Sequence, residues 1–220
     1  MRPTMLILLD NSPSQISEKA AKHAYEFGQL RTPLTSYKKA DRITGIDNGC
    51  FARPLDWPTW LRIIDEHRRS KDLKFVAMPD VVGSARRTLE LYSYFAPEFA
   101  SVPRALVCQD GQENLDIPWD SVEAVFIGGT DAFKDSEHSM QIAKAAKILG
   151  KWVHVGRVNS VGRVRRWKNI ADSCDGSGLS RYDHMLAAAV KECRGELVSP
   201  VYEAMPELWD GVEASEEKSV

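Results

Sequence analysis

Carboxylate and amide side chains recur at the ends of short apolar runs in this sequence. Asp47 closes one such run, and Asp80, Gln109 and Asp175 each stand at the end of a later one. Buried parallel strands read as continuous apolar runs, and in α/β enzymes the residues just beyond their carboxyl ends form the active site. We therefore expect these four side chains to gather on one face of the molecule.

Asp175 has the surroundings of a covalent nucleophile. It lies in the segment Asp172–Gly178, where small neighbours would let a carboxylate reach an electrophilic sugar carbon without steric obstruction. Asp47 precedes Asn48 and Gly49, and a glycine there allows the backbone to turn close to a ligand. For both aspartates the alternative is a purely structural role as a turn residue.

Asp80, Gln109 and the pair Gly128-Gly129 have the chemistry to read the edge of a nucleobase. The amide of Gln109 can donate and accept at once, and glycines expose backbone N–H groups to a flat ligand. The alternatives are a solvated loop for Gln109 and a tight turn for the glycines. Asp80 has no obvious structural role, because Ser84 is the better-placed cap for the following helix.

A basic segment, Arg157–Lys168, follows an apolar strand that contains His154. If the segment is helical, an apolar stripe faces the core and the bases point outward beside the expected active face. We expect them to contact nucleic-acid phosphates, and the alternative is an ordinary solvated helix face. The bases concerned are Arg157, Arg163, Arg165, Arg166 and Lys168. His154 itself is typical of a satisfied barrel-interior histidine rather than a catalyst.

The charge is distributed unevenly along the 220 residues. Glu203–Val220 holds six acidic residues and one lysine, and removing these from the 29 basic and 31 acidic residues leaves 28 and 25, a net charge of +3. That balance permits nucleic-acid binding. We expect a single domain over residues 1–200 and an acidic, mobile tail over residues 201–220.

Several classes of protein are disfavoured by the motifs that the sequence lacks. The four cysteines have no paired spacing, and no CxxC, HxH or HExxH pattern occurs, so we predict reduced thiols and no metal. Without a P-loop or GxGxxG motif we predict no cofactor. The apolar run Met5–Leu9 is too short for a signal segment or a membrane span, so we expect a cytoplasmic protein outside the membrane.

Eight candidate strands alternate with helices or loops. This alternation implies right-handed crossovers and a parallel sheet, and eight strands favour a compact (β/α)8 barrel of the TIM type. An open doubly wound sheet is the alternative, because the second strand is weak. The predicted strands are 5–9, 34–37, 43–47, 75–79, 105–109, 124–128, 152–156 and 173–176. The predicted helices are 14–27, 56–67, 84–96, 136–149 and 182–194.

Five short stretches at the ends of the predicted strands, in their order along the chain, resemble motifs of the tRNA-guanine transglycosylase superfamily. These are (β/α)8 enzymes that exchange guanine in a nucleic acid for a 7-deazaguanine. Ile46–Phe51 resembles the family's D-S-G-G-F-Q, and Val107–Gly111 resembles its V-Q-G-G. Ile127–Gly129 resembles I-G-G, Val155-Gly156 resembles M-G-V-G, and Asp172–Arg181 resembles D-M-F-D-C-V-x-P-T-R. Cys50 replaces the second glycine of the first motif and no clear P-T-R occurs, which implies a differently shaped base pocket.

The resemblance implies a role for each site residue. Asp175 would be the nucleophile that bonds the sugar carbon C1′, and Asp47 would be the general acid and base. No metal or redox cofactor is implied. The residues that would bind the base are Asp80, Gln109, Gly128, Gly129 and Gly156.

The family's zinc segment, a C-x-C-x-x-C with a later histidine, does not occur in this sequence. In the family that segment helps to hold tRNA, so the chain resembles the short, zinc-free relatives of phages and of bacterial DNA-modification clusters. This implies DNA as the polymer, with a flipped-out base entering the pocket and a preQ0-like 7-deazaguanine replacing guanine. The alternatives are the same exchange on tRNA, an N-glycosidase or nucleoside hydrolase, and a nucleic-acid binder without catalysis.

Overall fold

Eight parallel strands close into a barrel in the computed structural model, which describes residues 5–196. Each strand pairs with its successor, and the eighth closes the ring on the first through Leu6 opposite Ser173 and Ile7 opposite Cys174. The predicted (β/α)8 barrel is confirmed, and the open sheet is excluded. The predicted tail, 201–220, lies outside the described residues. The strands are β1 Leu6–Leu9, β2 Gly28–Arg31, β3 Thr44–Ile46, β4 Leu73–Ala77, β5 Arg104–Cys108, β6 Ala124–Ile127, β7 Trp152–Val155 and β8 Ser173–Cys174.

The helices that the structure describes surround this barrel. All five predicted helices are present, but the first ends at His23 instead of residue 27 because Ala24 adopts a left-handed conformation, with a φ of 47°. None of the helices between residues 5 and 196 has the length and apolarity needed to cross a membrane. They are α1 Pro13–His23, α2 Trp57–His67, α3 Ala85–Phe95, α4 Asp131–Lys134, α5 Glu137–Ile148, α6 Val161–Trp167, α7 Ser177–Arg181 and α8 Asp183–Arg194.

The second strand was predicted at the wrong place. Strand β2 is Gly28–Arg31, and the predicted strand 34–37 lies in the loop that follows it. Polar residues conceal β2 in the sequence, although all four of its residues are buried. The Arg31 guanidinium donates to Glu66 Oε2 at 2.8 Å and lies 3.1 Å from His67 Nε2. A buried polar residue is tolerated when it is paired in this way. Because such residues occupy buried positions of β2, the strand does not show the apolar run by which a buried strand is recognised in a sequence.

The barrel interior is filled by its own apolar layer. The side chains of Phe75 and Phe126 pack there at a centroid distance of 5.9 Å, nearly perpendicular to one another. The remaining buried apolar residues form a second cluster in which residues of the strands pack with residues of the helices. The interior is therefore a packed core, and a ligand must bind at one end of it.

Close approach of neighbouring chain segments makes Gly28 a sterically constrained position. A Cβ there would lie 2.3 Å from Leu8 Cδ2 and 2.8 Å from the carbonyl oxygen of Ile43. The carbonyl belongs to the backbone and has little freedom to move. Strand β2 can therefore reach its position in the ring only with glycine at residue 28.

We expect Gly28→Ala to lower the free energy of unfolding by about 1–3 kcal/mol. The added methyl group overpacks the site, and the strands on both sides of β2 prevent the backbone from moving away from it. The matched control is Gly162→Ala in α6, where a Cβ would meet only Ser160 Oγ at 4.0 Å. That change should raise the free energy of unfolding by up to about 1 kcal/mol through helix propensity. Urea unfolding of both variants measures this, and equal stabilities would contradict the steric account.

Candidate functional site

The predicted site residues come together at the carboxyl ends of the strands. A pocket there holds about 500 Å³ of empty space, part of it open to solvent. Its lining includes every residue predicted to be catalytic or base-binding: Asp47, Asp80, Gln109, Gly128, Gly129, Gly156 and Asp175. The other lining residues are Asn48, Phe51, Val82, Val107, Phe126, Lys134 and Arg157. The strand ends thus converge as their order along the chain predicted.

Asp175 follows β8 and is held in place through one of its oxygens. His154 Nε2 lies 3.0 Å from Oδ1, and the backbone N–H of Arg157 donates to the same oxygen at 3.3 Å. In the part of the chain that the structure describes, the hydrogen bonds of this carboxylate reach Oδ1 alone. The carboxylate is therefore oriented, and its second oxygen is left for the pocket.

A chain of hydrogen bonds behind Asp175 assigns the tautomer of His154. An ionised carboxylate only accepts, so His154 Nε2 carries the proton that is donated to Asp175. In the neutral ring Nδ1 then accepts, 2.8 Å from Ser173 Oγ. Trp152 Nε1, which can only donate, reaches the same Oγ at 2.9 Å. Trp152, Ser173 and His154 therefore donate in sequence, and the Asp175 carboxylate accepts the last of these hydrogen bonds.

Two aromatic rings fix the plane of His154. Its centroid lies 4.5 Å from that of Phe75 and 4.6 Å from that of Phe126, and its side chain is fully buried. The interior position predicted for His154 is confirmed, but its contact with Asp175 was missed. Gly156 keeps this part of the pocket open, since a Cβ there would lie 2.5 Å from the Phe126 ring.

Asp47 is the carboxylate most affected by its surroundings. It follows β3, and its backbone N–H donates to the Arg31 carbonyl oxygen at 2.8 Å. Burial raises the pKa of Asp47 to about 7, and the neighbouring charges of Asp175 and Asp80 act in the same direction. A carboxyl group with such a pKa exchanges a proton readily near neutral pH, as a general acid or base must.

Asp80 forms the centre of a polar cluster. Asn48 Nδ2 donates to its Oδ1 at 2.8 Å, and Gln109 Nε2 donates to its Oδ2. Burial raises the pKa of Asp80 above its usual value, which these hydrogen bonds partly offset. The backbone N–H of Gly83 donates to Gln109 Oε1 at 3.0 Å. Asp80 therefore does have structural contacts, and Ser84, the predicted cap, makes no side-chain capping bond to α3.

Two charged residues at the mouth were missed by the sequence analysis. Asp10 follows β1 and accepts from Thr35 Oγ1 at 2.5 Å, and burial raises its pKa to about 6. It ends an apolar run as Asp47 does, so the same pattern could have identified it. Lys134, in the short helix α4, lines the pocket with its side chain 1% exposed. No sequence pattern indicated Lys134.

Of the five bases predicted to contact phosphate, Arg157 lines the pocket. Its backbone has a φ of 57°, and its guanidinium lies 3.7 Å from the centroid of the Phe51 ring. The other four belong to α6 or its carboxyl end, where the predicted apolar stripe is buried. Arg163 pairs with Asp131 and Asp135, Arg165 and Lys168 with Glu192, and Arg166 with Glu137. A phosphate contact by these four remains a prediction.

Between residues 5 and 196, no three His, Cys, Asp or Glu side chains are arranged so that they could hold a metal ion. All four cysteines are free thiols.

Comparisons with known proteins add little. No family model and no curated protein matches the sequence. Among solved structures, a protein of Aquifex aeolicus VF5 described as "Structural study of Project ID" aligns over 90% of this chain and 94% of its own, with 14% identity and a TM-score of 0.30. A likeness this weak carries no argument about function.

We expect Asp47→Asn to stabilise the protein increasingly as the pH rises. The folded pKa of about 7 exceeds the unfolded value, so ionised Asp47 destabilises the folded state. The free energy of unfolding of the wild-type protein therefore falls relative to that of the variant as the pH rises from about 4 to about 7. At pH 8 the difference should reach about 2–4 kcal/mol. Urea unfolding between pH 4.5 and 8.5 measures the difference.

The matched control for this experiment is Asp41→Asn, at an exposed position before β3. Its carboxylate stays in water, so we expect the free energy of unfolding to keep the wild-type pH dependence. If the free energies of unfolding of Asp47→Asn and the wild-type protein differ by a constant amount over this pH range, the raised pKa of Asp47 is contradicted.

Proposed function

We propose that this protein exchanges guanine in DNA for a 7-deazaguanine base through a covalent bond between Asp175 and the sugar. One observation carries the proposal. The pocket that ends the barrel places an oriented carboxylate, Asp175, together with a carboxyl group that holds its proton near neutral pH, Asp47. A double displacement at a glycosidic carbon requires a nucleophile and a separate acid or base.

In the first displacement, a carboxylate oxygen of Asp175 attacks C1′ of the target nucleotide. The bond from C1′ to guanine N9 breaks, and its electron pair goes to the base. Asp47 in its protonated form supplies the proton that lets guanine leave as a neutral molecule. The enzyme then holds the abasic strand as an ester of Asp175, with Asp47 ionised.

The second displacement restores both carboxyl groups. The incoming 7-deazaguanine gives its N9 proton to ionised Asp47, and N9 attacks C1′. The bond from C1′ to the Asp175 oxygen breaks, which returns Asp175 as a carboxylate and leaves Asp47 protonated for the next cycle. A pKa near 7 suits Asp47 for both directions of this transfer.

The neighbouring polar residues suit a guanine-type base. Asp80 presents acceptor oxygens to the pocket, and guanine carries N–H donors along its N1 and N2 edge. Gln109 Nε2 has a second hydrogen besides the one that it donates to Asp80. Gly128, Gly129 and Gly156 leave room for a flat ring against the wall of β6 and β7.

A nucleic acid as the substrate is favoured by the rim of the pocket. Phe51 is 56% exposed there and is covered on one face by the Arg157 guanidinium. Aromatic and guanidinium groups stack on exposed bases, and a cation attracts phosphate. We favour DNA over tRNA because the zinc segment that the related enzymes use for tRNA does not occur in the sequence. Such a reaction takes place in the cytoplasm of a bacterial or phage-infected cell.

We expect a covalent adduct between the protein and guanine-containing DNA that survives denaturing electrophoresis. Asp175→Asn should abolish the adduct and lower base exchange by about 10³-fold or more, because an amide does not attack C1′ as a carboxylate does. Asp47→Asn should slow the exchange by about 10²–10⁴-fold, which is the usual contribution of general acid–base catalysis. Mass spectrometry of the nucleosides after incubation with 7-deazaguanine bases measures the exchange.

The matched control is Asp72→Asn, which precedes β4 at the opposite end of the barrel and should retain full activity. The same incubation with tRNA distinguishes the two polymers. Release of free guanine without incorporation of another base would identify an N-glycosidase instead. An adduct that persists in Asp175→Asn would remove Asp175 from its proposed role.

A further inference from the structure

The charges around the pocket are separated by position in the barrel. Asp47 and Asp80 follow β3 and β4, whereas Lys134 lies in α4 beyond β6; Arg157 follows β7, but its guanidinium reaches the Phe51 ring after β3. Asp175 follows β8. A ligand in this pocket therefore meets Asp47 and Asp80 toward β3 and β4, and Lys134 toward β6.

Lys134 is a buried cation that the proposed exchange does not use. Its Nζ lies 3.1 Å from Asp131 Oδ1, its side chain is 1% exposed, and its burial lowers its pKa. Asp131 also receives Arg163 Nη2 at 2.9 Å, so two cations share this one carboxylate. An ammonium group has three N–H donors, and a single oxygen of Asp131 does not engage them all. Lys134 therefore has donor capacity for a ligand in the pocket that it lines.

The shape of the base determines which of its atoms face Lys134. A guanine-type base has N9 on one side, the N1 and N2 donors on a second, and O6 with position 7 on a third. With C1′ at Asp175 and the donor edge at Asp80, the third side faces the wall formed by Gly128, Gly129 and Lys134. Glycine at residue 128 leaves room in this wall, since a Cβ there would lie 2.9 Å from Val107 Cγ1 and 3.4 Å from Gln109 Nε2, which both line the pocket.

We propose that Lys134 forms a subsite for the substituent at position 7 of the incoming base and selects hydrogen-bond acceptors or anions over cations. This inference rests on the proposed function. The subsite would accept a 7-cyano or a 7-carboxy group, toward which the ammonium of Lys134 donates. A 7-aminomethyl group is itself a cation and would be repelled, because like charges in a desolvated pocket are costly.

The test is calorimetric titration of the protein with three free bases: 7-cyano-, 7-carboxy- and 7-aminomethyl-7-deazaguanine. We expect the first two to bind at least tenfold more tightly than the third, as for one charge-assisted hydrogen bond. Lys134→Met should remove most of this preference. Asp131→Asn, which deprives Lys134 of its counter-ion, should increase the affinity for the carboxy base relative to the cyano base. Lys144→Met, on the exposed side of α5, is the matched control and should change nothing.

The outcomes separate this inference from the proposed function. Similar binding of all three bases by the wild-type protein, or an undiminished preference in Lys134→Met, would overturn the subsite while leaving the base exchange in place. Binding of none of the three bases would overturn both. Because binding of a free base requires no DNA and no covalent step, a failure of the exchange reaction alone would not affect this result.

Discussion

Three carboxyl groups, those of Asp47, Asp80 and Asp175, share one partly buried pocket, and the rest of the mouth is organised around that constraint. Burial penalises the ionised forms of Asp47 and Asp80, and the charges of Asp175 and Asp80 add to the penalty at Asp47. Donors from His154 and Arg157 compensate Asp175, and side-chain amides compensate Asp80. The penalty therefore falls on Asp47, which holds a proton near neutral pH.

This division of the carboxyl groups makes the pocket chemically asymmetric. One group is oriented by a buried hydrogen-bond chain that runs back through His154 to Trp152 inside the barrel. Another, Asp47, has a pKa raised to about 7, and the buried cation Lys134 lies beyond β6, away from the β3 end that carries Asp47. An oriented carboxylate, a carboxyl group with a raised pKa and a buried lysine thus lie in one pocket, which is the arrangement that the proposed two-step exchange requires.

Two predictions from sequence were wrong, the place of the second strand and the capping role of Ser84. Strand β2 was missed because Gln29 and Arg31 are polar, and both are buried through partners distant in the chain: Gln29 donates to the Lys38 carbonyl oxygen, and Arg31 pairs with Glu66. Ser84 was taken as the cap of α3 because of its position, yet its hydroxyl makes no such bond. For β2, partners outside the strand decide that its polar side chains are buried, and the sequence pattern does not record those partners.

The sequence by itself indicated a parallel α/β fold and the candidate carboxylates, because apolar runs that alternate with helices form a parallel sheet and carry their carboxyl-terminal residues to one edge, and eight strands favour its closure into a barrel. Only the tertiary structure decided the state of those residues. The proton on Asp47, the contact of His154 with Asp175 and the burial of Lys134 beside the glycine wall depend on distances between segments far apart in the chain. Electrostatic energies depend on such distances and on desolvation, and both are set only when the barrel closes.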